Sequence, residues 1–146
     1  MYPNTFKLIF FNVFVFAVLI VAYFYGFLAS FYSNDASHLT YIITVLMMIN
    51  TSLAIYDSYI DEKNEKKLAS PIKRWFDHIT GLIPYFGLAG TVYGFILVLL
   101  ALNVNGDIMG MLVQMKTGCL TLANATLFGV VAYMWQRNNE YLSGDF

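Results

Sequence analysis

Inside the long apolar runs of this chain, four polar side chains carry the chemistry worth weighing: Thr91, Thr121, Asn124 and Thr126. Hydroxyls and amides order water, solvate small cations and hydrogen-bond a carboxyl group, but they do not titrate near neutrality. No Asp, Glu or His lies near the middle of any apolar run. A proton crossing such a layer needs water or a group that takes and releases it. If this chain conducts protons, the titratable group comes from a second molecule. Other reactive types do not assemble a site. Cys119 is the only cysteine, which excludes an intrachain disulfide or thiolate metal cluster. His38 and His78 sit beside different segment ends, and no nucleophile–base pair is visible. The expectation is no enzyme, no metal and no cofactor, with H+ or Na+ as the cargo of any ion path.

These residues must be positioned by membrane helices. Of 146 residues, 59% are hydrophobic and only 12% charged, more apolar surface than a soluble domain of this length hides. A net charge of -1 with no basic face gives no sign of a nucleic-acid partner. Four apolar segments, at 6–32, 39–60, 79–102 and 108–136, each reach the roughly 20 residues needed to cross hydrocarbon. The chain therefore reads as one all-α membrane domain over 1–146. The first segment is too long for a signal peptide and has Lys7 as its only basic flank. Its aromatics, such as Phe10, Phe14, Tyr23, Phe24 and Phe27, face lipid or fill gaps between helices. Lys63, Lys66, Lys67, Lys73 and Arg74 crowd the 61–78 loop, whereas the loops at 33–38 and 103–107 have no Lys or Arg. The positive-inside rule then puts both termini and the 61–78 loop in the cytoplasm.

The second segment is the least regular span, because Asn50, Thr51, Ser52 and Asp57 make its cytoplasmic half polar. Asp57 is expected within reach of interfacial water. After it, Glu62 and Lys66, and Lys63 and Lys67, stand four apart on a solvated helical extension. Pro71 ends that extension and favours an extended Ser70. Ile72, Trp75 and Phe76 then form a short amphipathic piece at the membrane surface, and Asp77 is a candidate N-cap for the third span.

In the third segment, Gly87, Gly90, Thr91 and Gly94 fall within about a third of the helix circumference. Such a stripe lets another backbone come close and brings Thr91 into the seam. In the fourth, Gln114, Thr117, Thr121 and Asn124 share one face, while Thr126 points nearly the opposite way, beside Gly118 and Gly129. Polar groups on two sides require enclosure by protein, or water along one face. Lys116 lies about 12 Å along this helix from Ile108. It snorkels to the outer surface, or it marks the outer mouth of a pathway, set against Asp107.

Pro84 followed by Gly87-Leu88-Ala89-Gly90-Thr91-Val92-Tyr93-Gly94 resembles the "P…GLLGTVxG" signature of the MotA/TolQ/ExbB proton-channel family. Thr126-Leu127-Phe128-Gly129-Val130-Val131-Ala132 is similar to that family's last-helix pattern "TAxGLxVAIPA". Phe128 and the Tyr133-Met134 pair depart from it, and the alignment can also slide to Thr121. The resemblance covers roughly residues 80–140. It implies a homopentameric ring in a bacterial inner membrane, with the third and fourth spans lining the centre. It further implies a dimer of a single-span partner resembling MotB, TolR or ExbD, whose membrane Asp meets Thr91 and Thr126. The 61–78 loop is far shorter than the cytoplasmic domain of torque-transmitting relatives. The alternative reading is a structural membrane scaffold or holin-like pore former without ion coupling.

Overall fold

The computed structural model describes residues 2–64, 71–102 and 107–143. These form α1 (Pro3–Phe24), α2 (Phe27–Ser33), α3 (Leu39–Asn64), α4 (Pro71–Ala101) and α5 (Ile108–Ser143). No strand occurs among the described residues. All but α2 are long and apolar enough to cross a membrane, the make-up of a multi-pass membrane protein. Bulky side chains such as Phe10, Phe14, Phe24 and Leu88 stand exposed around the bundle. In hydrocarbon this carries no penalty, because lipid tails are as apolar as they are.

Two small cores hold the helices together. Ile43, Met47, Ile83 and Ala132 join α3, α4 and α5, with Phe86, Phe128 and Trp135 packed around them. Leu8, Ala54 and Phe76 form a second core against Leu142, so the described ends of the chain, in α1 and α5, lie at the same end of the bundle. At that end, the Glu62 carboxylate accepts from the Asn4 and Thr5 amides and from the Thr5 hydroxyl, tying α1 to α3.

Several expected boundaries are corrected. The first segment is not one helix: Gly26 takes φ +74°, a left-handed conformation open to a residue without Cβ, and splits α1 from α2. α4 begins at Pro71, where a missing N–H costs nothing in a first helical turn, rather than near Ile79. Asp77 is therefore interior to α4 and caps nothing, and Ile72, Trp75 and Phe76 belong to the same continuous helix. Phe76 is buried and Trp75 exposed. Asp57 is buried beside Lys73, Phe76 and Ser143. α5 runs on from 136 to Ser143. Lys66, Lys67, Ser70 and the link over 103–106 lie outside the described residues.

Candidate functional site

α4 and α5 lie antiparallel, and their contact is made by residues with little or no side chain. A Cβ added at Gly94 would sit 2.5 Å from the Leu122 amide nitrogen and 2.7 Å from the Gly118 carbonyl oxygen. Added at Gly129, it would sit 2.9 Å from the Gly87 Cα. Gly90 abuts Ala125 in the same row. The stripe predicted to admit another backbone thus admits α5 of the same chain. Pro84 lies in the middle of α4 and lacks the N–H that would bond the Thr80 carbonyl.

At the edge of this seam Thr91 and Thr126 meet, with hydroxyl oxygens 2.7 Å apart. Each hydroxyl also lies within hydrogen-bond distance of its own helix: Thr91 Oγ1 is 2.9 Å from the Gly87 carbonyl and Thr126 Oγ1 is 2.7 Å from that of Leu122. Two protons thus serve three acceptor contacts. One hydroxyl donates to its helix and the other to its partner, or each keeps its helix bond. The pair has no free donor and presents oxygen lone pairs. It opens on a groove of about 270 Å³, with Pro84, Leu88 and Thr91 on one wall and Thr126, Val130 and Tyr133 on the other. Thr91 is ten residues from Ala101, about 15 Å along the helix, or half of a hydrocarbon core about 30 Å thick.

The other predicted site residues go elsewhere. Thr121 is fully buried within the chain: its hydroxyl accepts from the Ala36 amide and donates to the Asn34 carbonyl, pinning the link between α2 and α3. Asn124 is half-buried, and its Nδ2 is enclosed without a hydrogen-bond partner among the described residues. Phe128, the bulky departure from the motif, packs on Phe31 and Tyr32. Lys116 and Asp107 are both exposed and form no ion pair with each other. Asp107 instead caps α5, its carboxylate accepting from the Gly110 amide at 3.0 Å. Cys119 is exposed.

A second polar cluster went unrecognised in the sequence. Asn50 donates to Thr80 at 2.7 Å and to Gln136 at 3.2 Å, and Gln136 donates to Thr51 at 3.2 Å. Asn12 donates to Asn139 at 2.9 Å and accepts from the Trp135 indole at 2.9 Å. These groups link α1, α3, α4 and α5 in the interior. The polar half of the second segment was the visible sign, but its partners are 30 or more positions away in the chain.

In the link between α2 and α3, Asp35 is 1% exposed. Burial pushes its carboxyl up, but hydrogen bonds from the Ser37 and Thr40 hydroxyls and amides outweigh that and hold it below the ordinary value. It thereby caps the first turn of α3.

Comparison of the chain with protein families, with characterised proteins and with solved structures finds no match.

Proposed function

We propose that this chain is the ring subunit of an ion-motive-force-driven channel, acting with a single-span partner that supplies a membrane carboxylate. One observation carries the reading. The threonines singled out by two separate motifs, one in α4 and one in α5, stand 2.7 Å apart on an open groove. A purely internal packing role does not need that groove to stay open.

The chemistry follows from the lone-pair surplus. A protonated carboxyl on the partner donates its O–H to the threonine pair. Once ionised, that carboxylate accepts only a hydroxyl proton withdrawn from a helix carbonyl or from the other threonine. The pair thus favours the protonated partner, and Na+ solvation by the same oxygens is the parallel case. The energies are commensurate: one charge moved through 100 mV gains about 2.3 kcal/mol, and a charge at mid-membrane costs about 2.5–3.5 kcal/mol on insertion scales. A homopentamer in a bacterial inner membrane, closing around a partner dimer, is the assembly this mechanism uses.

The scaffold reading has its own support, since both hydroxyls already lie against helix carbonyls and can serve as a clamp. Purification through a tag on this chain alone identifies the single-span protein that accompanies it. Reconstitution of that complex in vesicles with a pH-sensitive dye then measures ion flux under an imposed potential. Thr91→Val with Thr126→Val is expected to abolish flux while the assembly keeps its mass. Unchanged flux in the double variant overturns the channel reading and leaves the clamp.

A further inference from the structure

We infer, on the channel reading above, that Tyr133 binds the partner's carboxylate in its ionised form, as the counterpart of the threonine pair that binds it protonated. Three residues of the groove wall carry a polar side-chain atom: Thr91, Thr126 and Tyr133. The two threonines offer lone pairs and spend their protons on helix carbonyls or on each other. Tyr133 differs. Arg137, one turn further along α5, stands 5.8 Å from the centre of its ring and is itself bonded to Glu140. A guanidinium has donors and no acceptor, so whatever Arg137 gives the phenol occupies a lone pair and leaves the O–H to donate. The groove therefore combines an acceptor pair with one donor.

Their order along the helices gives the donor its role. Thr126 and Tyr133 are two turns apart on one stripe of α5, about 10 Å along the axis. Helical side chains lean towards the N-terminus, which brings the phenol back towards Thr126. The rest of the lining lies on this same side of the pair: Pro84, Gly87 and Leu88 precede Thr91, and Gly129 and Val130 follow Thr126. On the other side the two backbones are in contact at Gly94, Gly118 and Leu122, and the seam is shut. The groove thus runs from the pair towards Tyr133. Pro84, in the same groove, lies about 25 Å along α4 from Ala101, close to the end of a hydrocarbon core about 30 Å thick. A charge there costs less than at mid-membrane. The partner's carboxyl is therefore held neutral at the threonine pair. Moved along the groove, it is held ionised by a charge-assisted bond from the phenol, with Arg137 behind the ring. Tyr133 is a position at which α5 departs from the last-helix pattern, so this donor belongs to the chain itself and not to the resemblance.

The test uses the full chain with its co-purified partner in the vesicle flux assay. Tyr133→Phe keeps the ring and loses the O–H. It is expected to lower flux about tenfold, the size of one hydrogen bond to a charged group, with the mass of the assembly unchanged. O-methyltyrosine at position 133 keeps the oxygen but cannot donate, and is expected to give the same loss. 4-Aminophenylalanine at position 133 donates from the same place and is expected to restore flux. Both carry a para substituent, so their comparison stays informative if Tyr133→Phe disturbs the packing of the ring beside Ile83. Wild-type flux in Tyr133→Phe, or equal flux in the O-methyl and amino variants, overturns the inference and leaves the channel reading to the threonine variants. Flux that survives Thr91→Val with Thr126→Val overturns both.

Discussion

Two polar clusters sit in the same apolar helices and differ in what faces them. The amide cluster of Asn12, Asn50, Gln136 and Asn139 is closed on all sides, and protein groups answer nearly all of its hydrogen bonds. The threonine pair of Thr91 and Thr126 lies at an edge, closed on the seam side and open on the other. A polar residue in a membrane helix is costly wherever it stands. Enclosed by its own chain, it fixes which helices pair. Left on a face, it is available to a second molecule. Stability is therefore expected to respond to the first cluster, and ion-coupled function to the second.

The seam supporting the threonine pair gives the sharpest break. Gly94→Ala places a methyl group 2.5 Å from a backbone nitrogen of α5, which cannot rotate away. Overpacking of this kind costs about 1–3 kcal/mol or more. Unfolding in detergent is expected to show the largest loss here, with flux lost alongside it. Gln136→Leu comes next. It removes partners from Asn50, Asn139 and Thr51 inside the bundle, at a cost of about 1–3 kcal/mol in the same assay. An unchanged midpoint would mean that the amide cluster does not fix the helix pairing.

The Asp35 cap is worth about 1 kcal/mol, read from the Asp35→Ala variant. Its carboxyl has a lower pKa folded than unfolded, so its contribution is complete above the unfolded value of 3.8. The contribution fades as pH falls through the lower, folded value. Wild-type stability is expected to drop across that acid window, and Asp35→Ala to flatten the drop. Smallest on stability is Thr91→Val, about 0.6 kcal/mol by the average for interhelical hydrogen bonds in membranes. Little effect on unfolding together with lost flux would separate the two clusters cleanly. A large loss of stability from this variant would make the pair one more structural clamp.

Much of the frame was legible in the residues. Four runs of about 20 apolar residues gave four spans, and they emerge in order, because length and hydropathy are local properties. The α4 stripe of Gly87, Gly90 and Gly94 was visible in the sequence, and it lies against α5. The break at Gly26 was not legible, since the apolar run passes through it without a polar residue. Nor was the start of α4 at Pro71, where basic residues looked like loop and instead form a helical extension. The candidate site was half legible: both threonines stood out, but so did Thr121, whose spacing put it on a plausible face.

Composition and periodicity by themselves determined that the chain is helical, that it is suited to a membrane, and that its spans lack a titratable group at their centres. These are properties of each segment taken alone. Only the tertiary structure decided that Thr126 meets Thr91 while Thr121 holds the α2–α3 link, and that distant amides lock four helices together. The reason is that a helix presents a polar residue in a direction set by its own period, while what lies in that direction depends on where other helices pack.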